Sequence, residues 1–130
     1  MLLKTIKSIC VNYLALLIIF HPSKIDALSH EWIAVPKSQY GEQLWDKNSI
    51  QKNQNGYIRV FSKFIPKSTT DITQDILYTM DVNCLENSFR DVAVGAKEFN
   101  EFRNNDSKWK DPNGDKLILG VIDQVCTFGN

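Results

Sequence analysis

The chain has 130 residues, with 15 Lys and Arg, 15 Asp and Glu, and a formal net charge of zero. That length suits one domain, and the balanced charge excludes the basic footprint of a nucleic-acid binder. Hydrophobic residues make up 43%, with seven Phe, four Tyr and three Trp, which supports a packed core and excludes a disordered or collagen-like chain.

The N-terminus reads as a sorting signal. Lys4 and Lys7 precede an apolar run from Ile9 to Phe20, interrupted by Asn12 and Tyr13. This run is shorter than the roughly 20 residues that a membrane-spanning helix needs. A basic start, a short apolar centre and a polar end containing Pro22 are the parts of a secretory signal peptide. We therefore read residues 1–27 as the signal, cut after Ala27 or alternatively after Ser29, and residues 28–130 as one exported domain. An uncleaved anchor is the competing reading, and the length of the run weighs against it. Cys10 sits inside the run without the Leu and small residues that precede a lipidated Cys. Removing Lys4, Lys7, Lys24 and Asp26 leaves 103 residues with 12 basic and 14 acidic side chains. No later apolar run is long enough to span a membrane.

Strand signals follow in chain order. Residues 32–35 are short and β-prone, and Pro36 stops them. Residues 43–46 follow the Tyr40-Gly41 turn signal, and the polar stretch 47–56 ends in Asn55-Gly56, a hairpin dipeptide. Residues 57–64 alternate. Ile58, Val60, Ser62 and Phe64 share one face, with Tyr57, Arg59, Phe61 and Lys63 on the other. After a polar loop at 66–73, Ile76, Tyr78, Met80, Val82 and Cys84 share the apolar face of the next strand. A turn at Glu86-Asn87 leads to a strand over 88–96 with Val92, Val94 and Ala96 on one side. Residues 97–105 fit either a last strand or one helical turn through Phe99 and Phe102.

From Lys116 the period changes. Ile118, Val121, Ile122, Val125 and Cys126 form one stripe of a helix, widened by Leu117 and Leu119. Asp115 stands near its N-terminus and Gly129 just past its end, while Gly120 costs about 1 kcal/mol of propensity inside it.

Loss of Cys10 leaves Cys84 and Cys126, an even pair in an oxidising compartment, and we read them as a disulfide. A zinc site is a poor rival, since His30 is the one further His ligand in the mature chain. A nucleophilic Cys is poorer still, because no His lies near either thiol in sequence. Both cysteines fall on apolar faces, so the bridge would clamp the helix onto the sheet. The fold class expected is α+β: an antiparallel sheet of about five or six strands with one C-terminal helix packed on one face and tied by a disulfide.

Motifs that carry chemistry are nearly absent. There is no phosphate loop, dinucleotide-binding glycine pattern, paired-His zinc motif or nucleophile elbow. Asp111, Asn113 and Asp115 imitate the start of a calcium loop, but Lys116 stands where Gly is needed and Ile122 where Glu is needed. We read them as a turn into the helix. Acid pairs such as Asp71/Asp75 and Glu98/Glu101 read as solvated surface. Lys108, Lys110 and Lys116 around Trp109 are neutralised by Asp106, Asp111 and Asp115. Asn105-Asp106-Ser107 is a glycosylation sequon, relevant only in a eukaryotic secretory pathway. Trp32, Trp45 and Trp109 are read as core residues in preference to interface anchors. No catalytic, cofactor-binding or metal-binding residue is assigned.

Several short elements, in order, resemble one family. They are Trp32 with Val35, Trp45-Asp46-x-x-Ser49-Ile50, Tyr57-x-Arg59-Val60-Phe61 and Met80-Asp81-Val82-Asn83-Cys84. Arg90, Trp109, Pro112 and the run from Val121 to Cys126 continue the series. Together they resemble the bacterial surface-adhesin protein E-like domain over about residues 32–126. The resemblance implies a small antiparallel sheet carrying a disulfide-tied helix. It also implies an exported, non-enzymatic domain, some of whose relatives adhere to host proteins. The chain departs from the family in lacking an obvious lipid-attachment Cys, and no ligand-binding residue carries over. The expectation is a binding or interaction module in the periplasm, at the cell surface or secreted. Its partner would be a protein or other extracellular ligand, with no cofactor and no nucleic acid. A small periplasmic hydrolase or enzyme inhibitor is the alternative.

Overall fold

The computed structural model describes residues 29–69, 71, 73–95 and 108–129. The signal segment, the glycosylation sequon, Ala96, the Glu98/Glu101 pair and the ambiguous stretch 97–105 lie outside the described residues.

Strands β1 (Trp32–Ala34), β2 (Gly41–Asp46), β3 (Gln51–Lys52), β4 (Ile58–Pro66), β5 (Ile76–Asn83) and β6 (Ser88–Val94) precede helix α1 (Lys116–Gly129). All pairings are antiparallel, in the order β1-β2-β4-β5-β6, with β3 also on β4. The expected antiparallel sheet and its C-terminal helix are both present. Among the described residues no helix is long and apolar enough to cross a membrane.

The polar stretch after β2 holds more structure than its composition suggests. Lys47–Ser49 forms a 3-10 turn, and β3 then resumes pairing beside the start of β4, Gln51 opposite Arg59 and Lys52 opposite Ile58. Thus β2 and β3 are two halves of one interrupted strand. Asn53 closes the next turn: its Oδ1 accepts from the N–H groups of Asn55 and Tyr57, both at 3.0 Å, and Gly56 takes a positive φ.

Alternation assigns the faces of β4 as expected. Ile58 and Val60 join Val35, Trp45, Met80, Val82 and Phe89 in the core beneath α1. The helix contributes Leu117, Val121, Ile122 and Val125, so its buried stripe is centred closer to Leu117 than the sequence pattern placed it. Asp115 caps the helix, its Oδ1 accepting from Leu117 N–H at 3.0 Å and Ile118 N–H at 3.2 Å. Gly129 is the last helical residue and not the one after it.

Two expectations need correction. Strand β5 ends at Asn83, so Cys84 opens the turn to β6 and is not the last strand residue. Strand β6 carries a bulge: Asp91 faces Met80 while Ala93 faces Thr79, leaving Val92 without a paired residue. The bulge breaks the alternation, and Val92 is buried while Val94 is exposed. Cys84 and Cys126, 42 residues apart, are joined with Sγ–Sγ at 2.05 Å and Cα–Cα at 5.7 Å. Both pack against the core cluster, so the bridge ties the end of α1 to the β5–β6 turn.

Candidate functional site

Helix α1 covers only part of the sheet face beneath it. Beside its first turn lies an open groove of about 970 Å³, bounded on the other side by the loop from Lys37 to Tyr40. Its floor is the end of the core face: the half-buried Phe64 of β4, Tyr78 of β5 and Asp91 of β6, with Met80 of β5 and Phe89 of β6 buried beneath them. The volume is at the upper end of the range of about 300–1,000 Å³ common for ligand pockets. Tyr40 stands at the rim with 63% of its surface exposed.

The floor carries one acid. Asp91 lies on the core face, directly across from Met80, because the bulge follows it. Burial pushes its carboxyl above the ordinary carboxylate value, and the charge of Lys110 partly offsets that. Lys110 Nζ lies 3.8 Å from Asp91 Oδ2. The Tyr78 hydroxyl is also pushed up, first by burial and then by the charge of Asp91. A low-polarity floor with one carboxyl among three aromatic rings is suited to selective binding of an amphipathic group.

Gln43 beneath the groove is satisfied internally, donating through Nε2 to Ser62 Oγ at 2.5 Å, and Ser62 Oγ donates to Leu44 O at 2.7 Å. Asp115 at the rim uses its carboxylate to cap α1. Asp111 Oδ1 accepts from Asn113 N–H at 2.7 Å, the turn expected in place of a calcium loop. No group of three or more His, Cys, Asp or Glu that could hold a metal ion occurs among the described residues.

The opposite face of the sheet carries a different cluster. Asp81 is fully buried and accepts from Arg59 Nε at 2.7 Å, Arg59 Nη2 at 3.0 Å and Arg90 Nε at 2.9 Å. The Asp81 hydrogen bond raises the Arg59 pKa above its ordinary value, against the opposing effect of burial. Arg90 stacks 4.6 Å from the centre of the Trp109 ring, which itself lies 4.7 Å from Tyr57. Nearby, Trp32 packs 5.7 Å from Phe61, with Lys63 Nζ 4.4 Å from the Trp32 ring. Of the three tryptophans read as core, only Trp45 lies in the helix-covered core. Trp32 and Trp109 are half-buried on this second face.

A family model for the surface adhesin-E family matches residues 33–130. The chain belongs to the surface adhesin-E family. No curated protein and no solved structure matches it.

The residues through which this adhesin-E chain resembles its family turn out to be scaffold. In Trp45-Asp46-x-x-Ser49, Trp45 Nε1 donates to Gln124 Oε1 at 2.7 Å, fixing α1 on the sheet. Asp46 caps the 3-10 turn by accepting from Asn48 N–H at 3.0 Å, and it also accepts from Glu31 N–H at 2.9 Å. Ser49 Oγ donates to Asp46 O at 2.7 Å and accepts from Phe61 N–H at 2.8 Å, giving that amide a partner where the strand is interrupted. Arg59, Asp81 and Arg90 are the inter-strand cluster just described. Cys84 and Cys126, the residues singled out from sequence, form a tie away from the groove lining. The groove of the adhesin-E domain drew on Tyr40, Phe64, Tyr78, Phe89 and Asp91, none of which formed a motif. No residue type marks the bulge that places Asp91 there.

Proposed function

We propose that residues 1–27 direct export and that the adhesin-E domain is a non-enzymatic binding module. It meets an extracellular ligand through the groove beside the first turn of α1. The observation that carries this reading is the groove beside α1, with the half-buried rings of Phe64 and Tyr78 at its floor and the exposed Tyr40 among its lining. Apolar surface held open in a small domain has a use in recognition. Membership of the surface adhesin-E family supports action outside the cell. The part-buried Asp91 supports a hydrolase reading less well, because hydrolysis by paired carboxyl groups needs a second acid available to the substrate. The other acid of the groove, Asp115, caps the helix.

Protease shaving of intact cells, followed by mass spectrometry of the released peptides, tests this reading against a periplasmic control protein. Release of peptides from residues 28–130 while the control stays intact is expected. Release only after the envelope is opened would overturn action at an extracellular ligand.

A further inference from the structure

We infer that the exported chain captures a copper(II) ion at its processed N-terminus, through Leu28, Ser29 and His30. This rests on the reading of residues 1–27 as a cleaved signal and is independent of the groove. Cutting after Ala27 makes His30 the third residue of the mature chain. A free α-amine with histidine at the third place is a chelating arrangement. The amine, the amide nitrogens of the second and third residues and the imidazole Nδ1 are linked so that all of them reach one ion through fused chelate rings. A square-planar set of nitrogens selects copper(II), with nickel(II) behind it in affinity.

The backbone around His30 is arranged as such a site requires. Chelation needs the Ser29 and His30 amides to give up their protons, so neither can be committed to the fold. Neither N–H donates to a partner among the described residues. The next residue differs: Glu31 N–H donates to Asp46 Oδ1 at 2.9 Å, and Glu31 O accepts from Lys47 N–H at 2.9 Å. Strand pairing then starts at Trp32. The amides of the sheet and its border are thus engaged from the residue after the last nitrogen the metal needs. Ser29 O accepts from Asn48 Nδ2 at 2.6 Å, a bond that chelation strengthens, because a deprotonated amide has a more negative oxygen.

The imidazole is within reach of solvent, with 53% of the His30 side chain exposed. Its Nδ1, the nitrogen nearer the backbone, lies 2.7 Å from Asp46 Oδ2, and copper has to take it from that contact. The exchange leaves the buried carboxylate held, since Asp46 Oδ1 keeps the N–H groups of Glu31 and Asn48, at 2.9 and 3.0 Å. His30 can therefore turn to the metal without stranding a buried charge. The Trp32 ring lies 5.2 Å from the imidazole, centre to centre, which sets a fluorophore beside the ion.

Charge balances on binding. The two amide protons leave to solvent, and the two anionic nitrogens neutralise the dipositive ion. Zinc fits the site poorly, because it favours tetrahedral sets of thiolate and imidazole, and Cys84 and Cys126 are joined to each other.

The test uses the chain purified after export by an expressing strain, with its intact mass and N-terminal sequence determined first. Leu28 is expected as the first residue. Copper(II) is then titrated in against glycine as a competing chelator. Equimolar copper is expected to bring up the visible band and the electron paramagnetic resonance pattern of a square-planar nitrogen centre, and to quench part of the tryptophan fluorescence. Excess zinc is expected to leave that spectrum in place. Ser29→Pro keeps His30 but has no amide proton to release, so it is expected to lose the spectrum, as is His30→Ala. Both positions precede β1, and circular dichroism of each variant is expected to match the unaltered protein. No such spectrum in the chain that starts at Leu28, or the same spectrum and affinity in Ser29→Pro, would overturn the site and leave export standing. A chain that starts at His30 would overturn the site as well, because the chelating residues before it are gone. A purified chain that still carries residues 1–27 would overturn both the site and the export reading.

Discussion

Gly120 of α1 rests against Val35: a Cβ added to Gly120 would lie 2.9 Å from the Val35 Cβ and 3.3 Å from its Cγ2. The glycine that lowers helix propensity is therefore what lets α1 approach the segment following β1. Propensity alone predicts that Gly120→Ala stabilises by about 1 kcal/mol. Overpacking at such a contact costs about 1–3 kcal/mol, and Val35 is branched and buried. We expect the crowding to win, with a fall in melting temperature of several degrees measured by circular dichroism. A rise would mean that the helix lifts off Val35 at little cost.

The disulfide closes a span of 42 residues. Chain-entropy arguments give such a loop about 4 kcal/mol, and Cys84→Ser is expected to lose about 2–4 kcal/mol in urea denaturation. The double change Cys84→Ser with Cys126→Ser should match the single change, and a reductant should bring the unaltered protein to the same level. An unaltered midpoint in the single variant would show that the helix is held by its apolar face and the Trp45–Gln124 hydrogen bond alone.

Asp81 holds three strands together through charge. It lies on β5 directly across from Arg59 of β4 and Arg90 of β6, and none of its surface is exposed. Replacement by Ala leaves two guanidinium groups facing each other without their shared acceptor. Removing one partner from a buried ionic cluster costs about 3–5 kcal/mol. Asp81→Ala is therefore expected to unfold at much lower urea than Asp81→Asn, which keeps an acceptor oxygen. Equal midpoints for the two would place the contribution in packing and not in hydrogen bonding.

The scaffold was legible in the sequence because its signals are local. Alternation of Ile58, Val60, Ser62 and Phe64 assigned the faces of β4, and Asp115 marked the start of α1. The parity of the cysteines gave the tie. The 3-10 turn was missed because Asp46 and Ser49 work through hydrogen bonds to backbone groups far along the chain, Glu31 and Phe61 among them. Groove residues were missed for a different reason. Their shared location depends on how much of the sheet α1 leaves uncovered, and on a bulge at Val92 that reverses the apparent side of Asp91 relative to Val94. Neither property belongs to any short window of sequence.

Asp91 gives a prediction that separates a functional residue from a structural one. Burial holds its carboxyl above the ordinary value of 3.8. Between that value and the raised one, the folded chain keeps a proton that the unfolded chain has released. Its contribution to stability therefore falls as pH rises through this window, and the full cost persists above it. Lys110 from the segment before α1 offsets part of that cost, while Tyr78 lies beside the carboxyl on β5. Asp91→Asn removes the titration while keeping the shape. Relative to the unaltered protein, it is expected to gain stability as pH is raised from 4 to 7. Paired urea denaturation curves at each pH measure the difference, in which the other carboxylates cancel. A variant that instead loses stability at pH 7 would show that the charged form holds a native contact stronger than its burial cost. A gain in stability would mean that the acid is held at that position at a cost to the fold.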